Sequence, residues 1–349
     1  MVWRGLIDRY GERLDITPSA APVTLYEGNT PLIPAPRLAA FIAPGAELFL
    51  KYEGLNPTGS FKDRGMTTAI TQAVSEGATA VICASTGNTA ASAAAYAARA
   101  GLKCVVLIPE GKVALGKLAG AIAYGADVVA IRGSFDDGLR MVREIAEIHP
   151  IALVNSVNPA RLEGQKTAAW EVIDQLGEPP DWLCLPVGNA GNISSYWLGF
   201  RQSNHARMPR LLGAQAEGAA PIVLRKRVDN PETIATAIRI GNPARWQEAE
   251  AALAESNGTI LAVSDAEILE AQSLIATLEG VYCEPSSAAG VAGLRKAILA
   301  GSLSPEARKI VCVLTGHGMK DPDTTIKQFK GSDAIDPTTD ALLQRLEVK

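Results

Sequence analysis

The chain has 349 residues, 47% hydrophobic and 20% charged, with a formal net charge of −4. That length exceeds a single hydrophobic core and fits two domains of ordinary size. The apolar content excludes a disordered chain, and the mildly acidic balance gives no footprint for nucleic acid or an anionic membrane. Five cysteines, Cys83, Cys104, Cys184, Cys283 and Cys312, show no Cys-x-x-Cys spacing, and four lie within apolar runs. This pattern reads as buried thiols in a reducing cytoplasm and argues against disulfides or a metal site. Met1–Asp8 carries charges every few residues and reads as neither a signal nor a transit peptide. No apolar run reaches the ~18 residues of a membrane span.

In chain order, the pattern predicts a short helix near Trp3–Tyr10, then a Pro-rich loop. The turn Gly28-Asn29-Thr30-Pro31-Leu32 leads into an extended stretch, and a strand follows at Glu47–Tyr52. After Lys62 an alternation begins: helix to about Ser75, strand Thr79–Ala84, helix Ala90–Arg99, strand Lys103–Ile108, helix Val113–Tyr124, strand Asp127–Ile131, helix Ser134–Ile148 and strand Ile151–Val154. It continues with helix Pro159–Leu176, strand Trp182–Val187, helix Ile193–Ser203 and strand Leu211–Ala216. Ala219–Ala254 reads as mostly helical, broken at Gly241-Asn242-Pro243. Helices at Asp265–Glu279 and Ser286–Ala300 and a strand at Lys309–Leu314 close the series. Continuous apolar strands alternating with helices indicate an α/β fold whose mostly parallel sheets are flanked by helices. Ligands in such sheets bind at the carboxyl ends of the strands.

Chemistry-bearing residues cluster at those strand ends. In Asn56-Pro57-Thr58-Gly59-Ser60-Phe61-Lys62-Asp63-Arg64-Gly65, Pro57 and Gly59 interrupt regular structure and Ser60 is placed to cap a helix. Lys62 then sits in the first turn, where the positive end of the helix dipole lowers its pKa, as an amine that forms a Schiff base requires. Ser85-Thr86-Gly87-Asn88-Thr89 follows a strand and opens a helix, which makes it either an anion site or an ordinary capped turn. Pro186-Val187-Gly188-Asn189-Ala190-Gly191-Asn192 does the same with small residues that let backbone close on a phosphate; it is neither a dinucleotide fingerprint nor a P-loop. In Asn155-Ser156-Val157-Asn158-Pro159-Ala160-Arg161, Arg161 is placed to clamp a phosphate in bidentate fashion, or is a surface arginine after a polar loop. The last strand ends in Thr315-Gly316-His317-Gly318-Met319-Lys320-Asp321-Pro322. His317 is an acid/base candidate, but its glycine neighbours favour a turn role.

The Pro57-to-Arg64 string resembles the cofactor-lysine segment of pyridoxal-phosphate enzymes of the tryptophan-synthase-β fold type (fold type II). The Gly-Asn-Ala-Gly-Asn, Thr-Gly-His-Gly-Met-Lys-Asp-Pro and Asn-Ser-x-Asn-Pro-x-Arg strings resemble threonine synthases of the short bacterial kind. The resemblance implies two domains, each with a twisted, mostly parallel sheet, and pyridoxal 5′-phosphate in the cleft between. Residues 1–52 plus 157–349 would form the larger domain and 53–156 a smaller mobile one. It implies Lys62 as the catalytic, cofactor-linked lysine beside Phe61. The cofactor phosphate would lie on Gly188, Asn189, Ala190, Gly191 and Asn192, its phenolic oxygen on Asn88 and its pyridine nitrogen on Thr315. Ser85, Thr86 and Thr89 would grip the substrate carboxylate, and Asn155, Ser156, Arg161 and Asn189 the leaving phosphate. Glu284, in Glu-Pro-Ser-Ser-Ala, would lie near the cofactor ring, although a helix start with acidic capping explains the same residues. The implied reaction is γ-elimination of phosphate from O-phospho-L-homoserine with β-addition of water, giving L-threonine, in a cytoplasmic homodimer with no metal, nucleic-acid or membrane partner. A threonine/serine dehydratase-type lyase of the same fold is the alternative, and it would need no second phosphate site.

Overall fold

Strands apolar along their whole length must be covered on both faces, and among the described residues ten strands form two sheets. The computed structural model describes residues 2–17, 21–111, 115–133, 135–303, 308–328 and 334–346. The strands are β1 (Leu32–Pro34), β2 (Glu47–Tyr52), β3 (Ala80–Ala84), β4 (Lys103–Pro109), β5 (Asp127–Ile131), β6 (Ile151–Leu153), β7 (Trp182–Pro186), β8 (Arg210–Ala216), β9 (Thr259–Val263) and β10 (Lys309–Leu314). A six-stranded sheet runs β1-β2-β10-β7-β8-β9 and a four-stranded one β5-β4-β3-β6. Every pairing is parallel except that of β1 with β2.

The period of two is visible in the cores. From β10, Ile310, Cys312 and Leu314 enter one apolar cluster, while Val311 and Val313 enter the cluster on the opposite face. From β3, Val81 and Cys83 point to one side and Ile82 and Ala84 to the other. This double burial is why these segments lack polar alternation.

The predicted elements are observed with small boundary shifts, and β2, β5 and β10 keep their predicted ends. Residues 113, 114 and 134 of the predicted helices lie outside the described residues. Three expectations need correction. Ala219–Ala254 is mostly irregular: Pro221–Leu224 is a four-residue helix stopped by Arg225 at φ 52°, Thr236–Ile238 is a 3-10 turn, and only Trp246–Glu255 is a longer helix. Pro231, Gly241 and Pro243 interrupt the helical pattern, and Val228 pairs instead with Gly241. Strand β9 was not predicted, although Thr259–Val263 is a short apolar run between Gly258 and the Ser264–Glu267 capping box. The helix Pro36–Ile42, begun by a proline in its first turn, was also missed.

The Lys62–Ser75 helix crosses the long Pro159–Leu176 helix at glycines. A Cβ at Gly164 would overlap the Arg64 carbonyl, and one at Gly65 would lie 2.7 Å from the Arg161 carbonyl. Beneath this crossing Arg64 is fully buried between Glu53 (2.6 Å) and Glu171 (2.6 Å), and Lys51 reaches Glu171 at 2.9 Å. Gly164→Ala forces the helices apart, with an expected stability loss of about 3 kcal/mol or more. Urea unfolding measures it, and a midpoint equal to the parent's would show that the crossing is not under close contact.

Candidate active site

Loops that leave the carboxyl ends of β2, β3, β6, β7 and β10 meet in one cavity of about 390 Å³. Its walls contain every site residue named from the sequence: Phe61, Lys62, Ser85, Thr86, Asn88, Thr89, Asn155, Ser156, Arg161, Gly188, Asn189, Ala190, Gly191, Asn192 and Thr315. The convergence follows from parallel strands, whose carboxyl ends share one edge of each sheet.

Lys62 is the first residue of its helix, as expected. Phe61 occupies the cap position without a side-chain bond, and Ser60, one residue earlier, accepts from the Lys62 amide (3.4 Å) as the sequence reading expects. Tertiary pairing also holds this loop. The Phe61 amide donates to the Thr315 carbonyl (3.0 Å), the His317 amide donates to the Gly59 carbonyl (2.9 Å), and Ser60 bridges Gly316. Gly59 has φ 85°, a conformation that favours glycine. The Lys62 amine lies 4.3 Å from the Phe61 ring centre. Burial first, and then the Arg161 charge, lower its pKa to about 7, with Glu284 opposing the shift. Desolvation is thus the leading cause, where the sequence suggested the helix dipole.

Arg161 is completely buried. One terminal nitrogen, Nη1, donates to the Val154 carbonyl (3.1 Å), whereas Nε and Nη2 have no partner among the described residues. Burial pulls its pKa down to about 10, with the nearby Arg245 charge acting in the same direction and Cys83 against it. A buried cation with two idle donors facing a cavity is costly unless an anion completes it. Asn192 Nδ2, at the start of the Gly191–Arg201 helix, is a second buried donor without a partner. Here Ala190 adopts φ 65°, a strained turn that aims the helix start at the cavity. A Cβ on Gly188 would come within 3.0 Å of Ile238 Cα, so only glycine fits unstrained at this wall.

The remaining predicted residues differ in how free they are. Asn155 spends its amide on the backbone of Ala84, accepting at 3.0 Å and donating at 2.9 Å, and so pins the loops after β3 and β6 together. Asn189 Nδ2 donates to Ser156 Oγ (3.3 Å). Asn88 Nδ2 donates to both oxygens of Glu284 (3.1 and 3.3 Å), and burial raises Glu284 to about 7. The Thr315 hydroxyl meets that of Ser287 at 3.0 Å. Ser85, Thr86 and Thr89 line the cavity half-buried. His317 accepts from the Met319 amide (3.1 Å), stacks on Tyr52 and does not line the cavity, as the turn reading expects.

Sequence reasoning missed Lys320, Gln165 and the Thr236–Ile240 segment, all of which line the cavity. Lys320 stood inside the quoted last-strand motif; it donates to the Thr58 carbonyl (3.0 Å), and its pKa is lowered by burial against the opposing pull of Glu284 and Asp63. Thr236–Ile240 carries no readable signal, because its composition reads as helix.

A condensable amine, a small-residue cradle at a helix start and idle buried donors fit pyridoxal phosphate and one further anion. Among the described residues no cluster of His, Cys, Asp or Glu could hold a metal ion, and no helix is long and apolar enough to cross a membrane.

The Lys62 pKa sets a pH test. Because burial favours the neutral amine, reactivity of the cofactor-free protein toward pyridoxal phosphate should rise through about pH 7, well below the range of an ordinary lysine. Glu284→Gln removes the charge that raises it, so the midpoint should move to lower pH. Stopped-flow absorbance reads both, and a parent midpoint near pH 10 would contradict the assignment.

The family model described as pyridoxal-phosphate dependent enzyme matches residues 23–316. The chain is 59% identical to a threonine synthase of Synechocystis sp. over 329 residues, 93% of this chain and 85% of that one. It is 55% identical to that of Halalkalibacterium halodurans, over 96% and 95% of the two chains. With that of Methanocaldococcus jannaschii identity is 52%, over 91% and 82%. Among solved structures, maize serine racemase superposes with a TM-score of 0.78 at 23% identity, covering 93% of this chain and 97% of that one. Threonine deaminase isoform 2 from Solanum lycopersicum gives 0.74 at 22% identity, over 86% and 82%. At these identities both structures speak to fold alone. The chain belongs to the pyridoxal-phosphate dependent enzymes of fold type II and, within them, to the threonine synthase family of lyases.

Proposed function

We propose that the cleft converts O-phospho-L-homoserine and water into L-threonine and phosphate. The observation that carries this reading is Arg161, a buried guanidinium with two unpartnered nitrogens in the same cavity as Lys62. A leaving phosphate dianion is the kind of partner such a cation lacks. Pyridoxal phosphate, when bound, supplies the carbonyl that condenses with the lysine amine and the electron sink for negative charge at the substrate Cα.

The chain's own residues do the rest. Gly188, Asn189, Ala190, Gly191 and Asn192 hold the cofactor phosphate at a helix start, Asn88 its phenolic oxygen and Thr315 its ring nitrogen, beside Phe61. The Thr315 hydroxyl is neutral and does not force a proton onto that nitrogen, which suits elimination. Ser85, Thr86 and Thr89 grip the substrate carboxylate. Lys62, neutral above about pH 7, takes the Cα proton. Arg161 and Ser156, with Asn189, receive the departing phosphate and keep it near the water that adds at Cβ, and Asn155 keeps their loop in place through Ala84.

Residues 53–156 act, in this reading, as a smaller mobile unit that closes on the larger one, 1–52 plus 157–349, and excludes water while phosphate leaves. The glycine crossing of the Lys62–Ser75 and Pro159–Leu176 helices joins the two units and would be the pivot of that motion. A homodimer in the cytoplasm completes the proposal; the five cysteines are free, buried thiols, which suits a reducing compartment.

Purified protein given O-phospho-L-homoserine should release phosphate with threonine as co-product. Arg161→Ala should lower kcat/KM about 100-fold, the worth of a bidentate charged pair, and Lys62→Ala should abolish both activity and the visible cofactor band. Full activity of Arg161→Ala would point instead to an eliminase that needs no second anion site.

A further inference from the structure

Arg245 lies just outside the cavity, and nothing in the sequence marked it. It precedes the Trp246–Glu255 helix that packs on the six-stranded sheet. Its guanidinium crosses to the loop that leaves the four-stranded one. Nε donates to the Ser156 carbonyl (3.3 Å) and Nη2 to the Val157 carbonyl (3.2 Å), while Nη1 pairs with Glu248 at 3.0 Å. The side chain is only 14% exposed, so these bonds form with little competition from water.

The backbone beside it grips the other side of the cleft. The Ala244 amide donates to Asn189 Oδ1 (3.2 Å) and the Arg245 amide to the Asn189 carbonyl (3.3 Å). Asn189 in turn donates to Ser156 Oγ (3.3 Å). Arg161 hangs by Nη1 from the Val154 carbonyl of the same loop (3.1 Å). Two arginines therefore hold three carbonyls of this short loop, at Val154, Ser156 and Val157, one from inside the cavity and one from behind its wall. Their like charges repel across that wall, and a dianion in the cavity would relieve the repulsion.

We propose that Arg245 is a positioning residue for the second anion site: it clamps the Ser156–Val157 turn against the Asn189 loop and fixes where Ser156 and Arg161 meet a phosphate dianion. The inference rests on the phosphate-releasing reading above and gives that site its specificity for a doubly charged group. Loss of the clamp loosens the leaving-group site and leaves the cofactor and Lys62 in place.

The test uses the holoenzyme with Arg245→Gln and Arg245→Lys. Inorganic phosphate is titrated by calorimetry, kcat and KM are measured on O-phospho-L-homoserine, and the visible cofactor band is recorded. In Arg245→Gln the phosphate Kd and the KM should rise about tenfold, with kcat within about threefold of the parent and the band intact. Arg245→Lys, which keeps the charge and can reach one carbonyl, should recover part of the loss; it also serves alone if the glutamine variant does not fold. Unchanged phosphate Kd in either soluble variant overturns the proposal. Loss of the band and of kcat together, with no separate change in phosphate Kd, overturns it in favour of a general structural role. If the parent itself releases no phosphate, the functional reading fails instead, and phosphate titration still reports on the clamp.

Discussion

The buried guanidinium of Arg64 is the constraint on which the site depends. It lies two residues after Lys62 and is held by Glu53 from the loop before the helix and by Glu171 from the long helix behind it. Thr30 joins from the first turn of the chain, and Lys51 balances the second carboxylate. Two cations and two anions are thereby buried with matched charge, the condition under which desolvation is offset. Burial opposes ionisation of Glu171, yet the Arg64 and Lys51 charges prevail and hold its carboxyl down at about 2. Removing any one partner would strand a buried charge, a change worth about 3–5 kcal/mol. Such a network stabilises less than an apolar core would, but it is directional. It sets the Lys62–Ser75 helix at one height against Pro159–Leu176, and so places the amine opposite Arg161.

Charge in the cleft is arranged against the sign of the whole molecule. The chain is formally −4, yet the cavity gathers Lys62, Arg161, Arg239 and Lys320 around a single carboxylate, Glu284, whose pKa burial raises to about 7. A small cationic cavity in a mildly acidic protein attracts anions locally without making the surface sticky for nucleic acid. The same burial that lowers Lys62 for condensation also strengthens its interaction with whatever charge develops beside it. One low-dielectric space thus supplies both a neutral amine and an anion receptor.

Much of this was legible residue by residue. The strands after which the loops follow are apolar on both faces, and a parallel sheet brings their carboxyl ends together, so Lys62, Asn88, Gly188 and Thr315 could be assigned to one cleft from local strings. What failed were inferences that stopped at the local string. Ser60 does accept from the Lys62 amide, as a capping residue would, but the local string did not show that its loop is paired with Gly316, more than 250 residues away. Ala219–Ala254 looked helical by composition, but its prolines and glycines let it fold as an irregular wall that delivers Thr236–Ile240 to the cavity.

The sequence by itself determined the alternation of strands and helices and the turn residues at the strand ends. Each of these is written in short-range periodicity or in residues whose backbone preferences are intrinsic. Only the tertiary structure decided which charges are buried, and therefore that desolvation lowers the Lys62 pKa to about 7 and that Arg161 keeps two donors free. It alone showed that Arg245 braces one site loop from behind and that Lys320 holds another from within the cavity, since their partners lie about 90 and 260 positions away in the chain. Burial and long-range hydrogen bonding depend on the whole packing arrangement, and no local string encodes them.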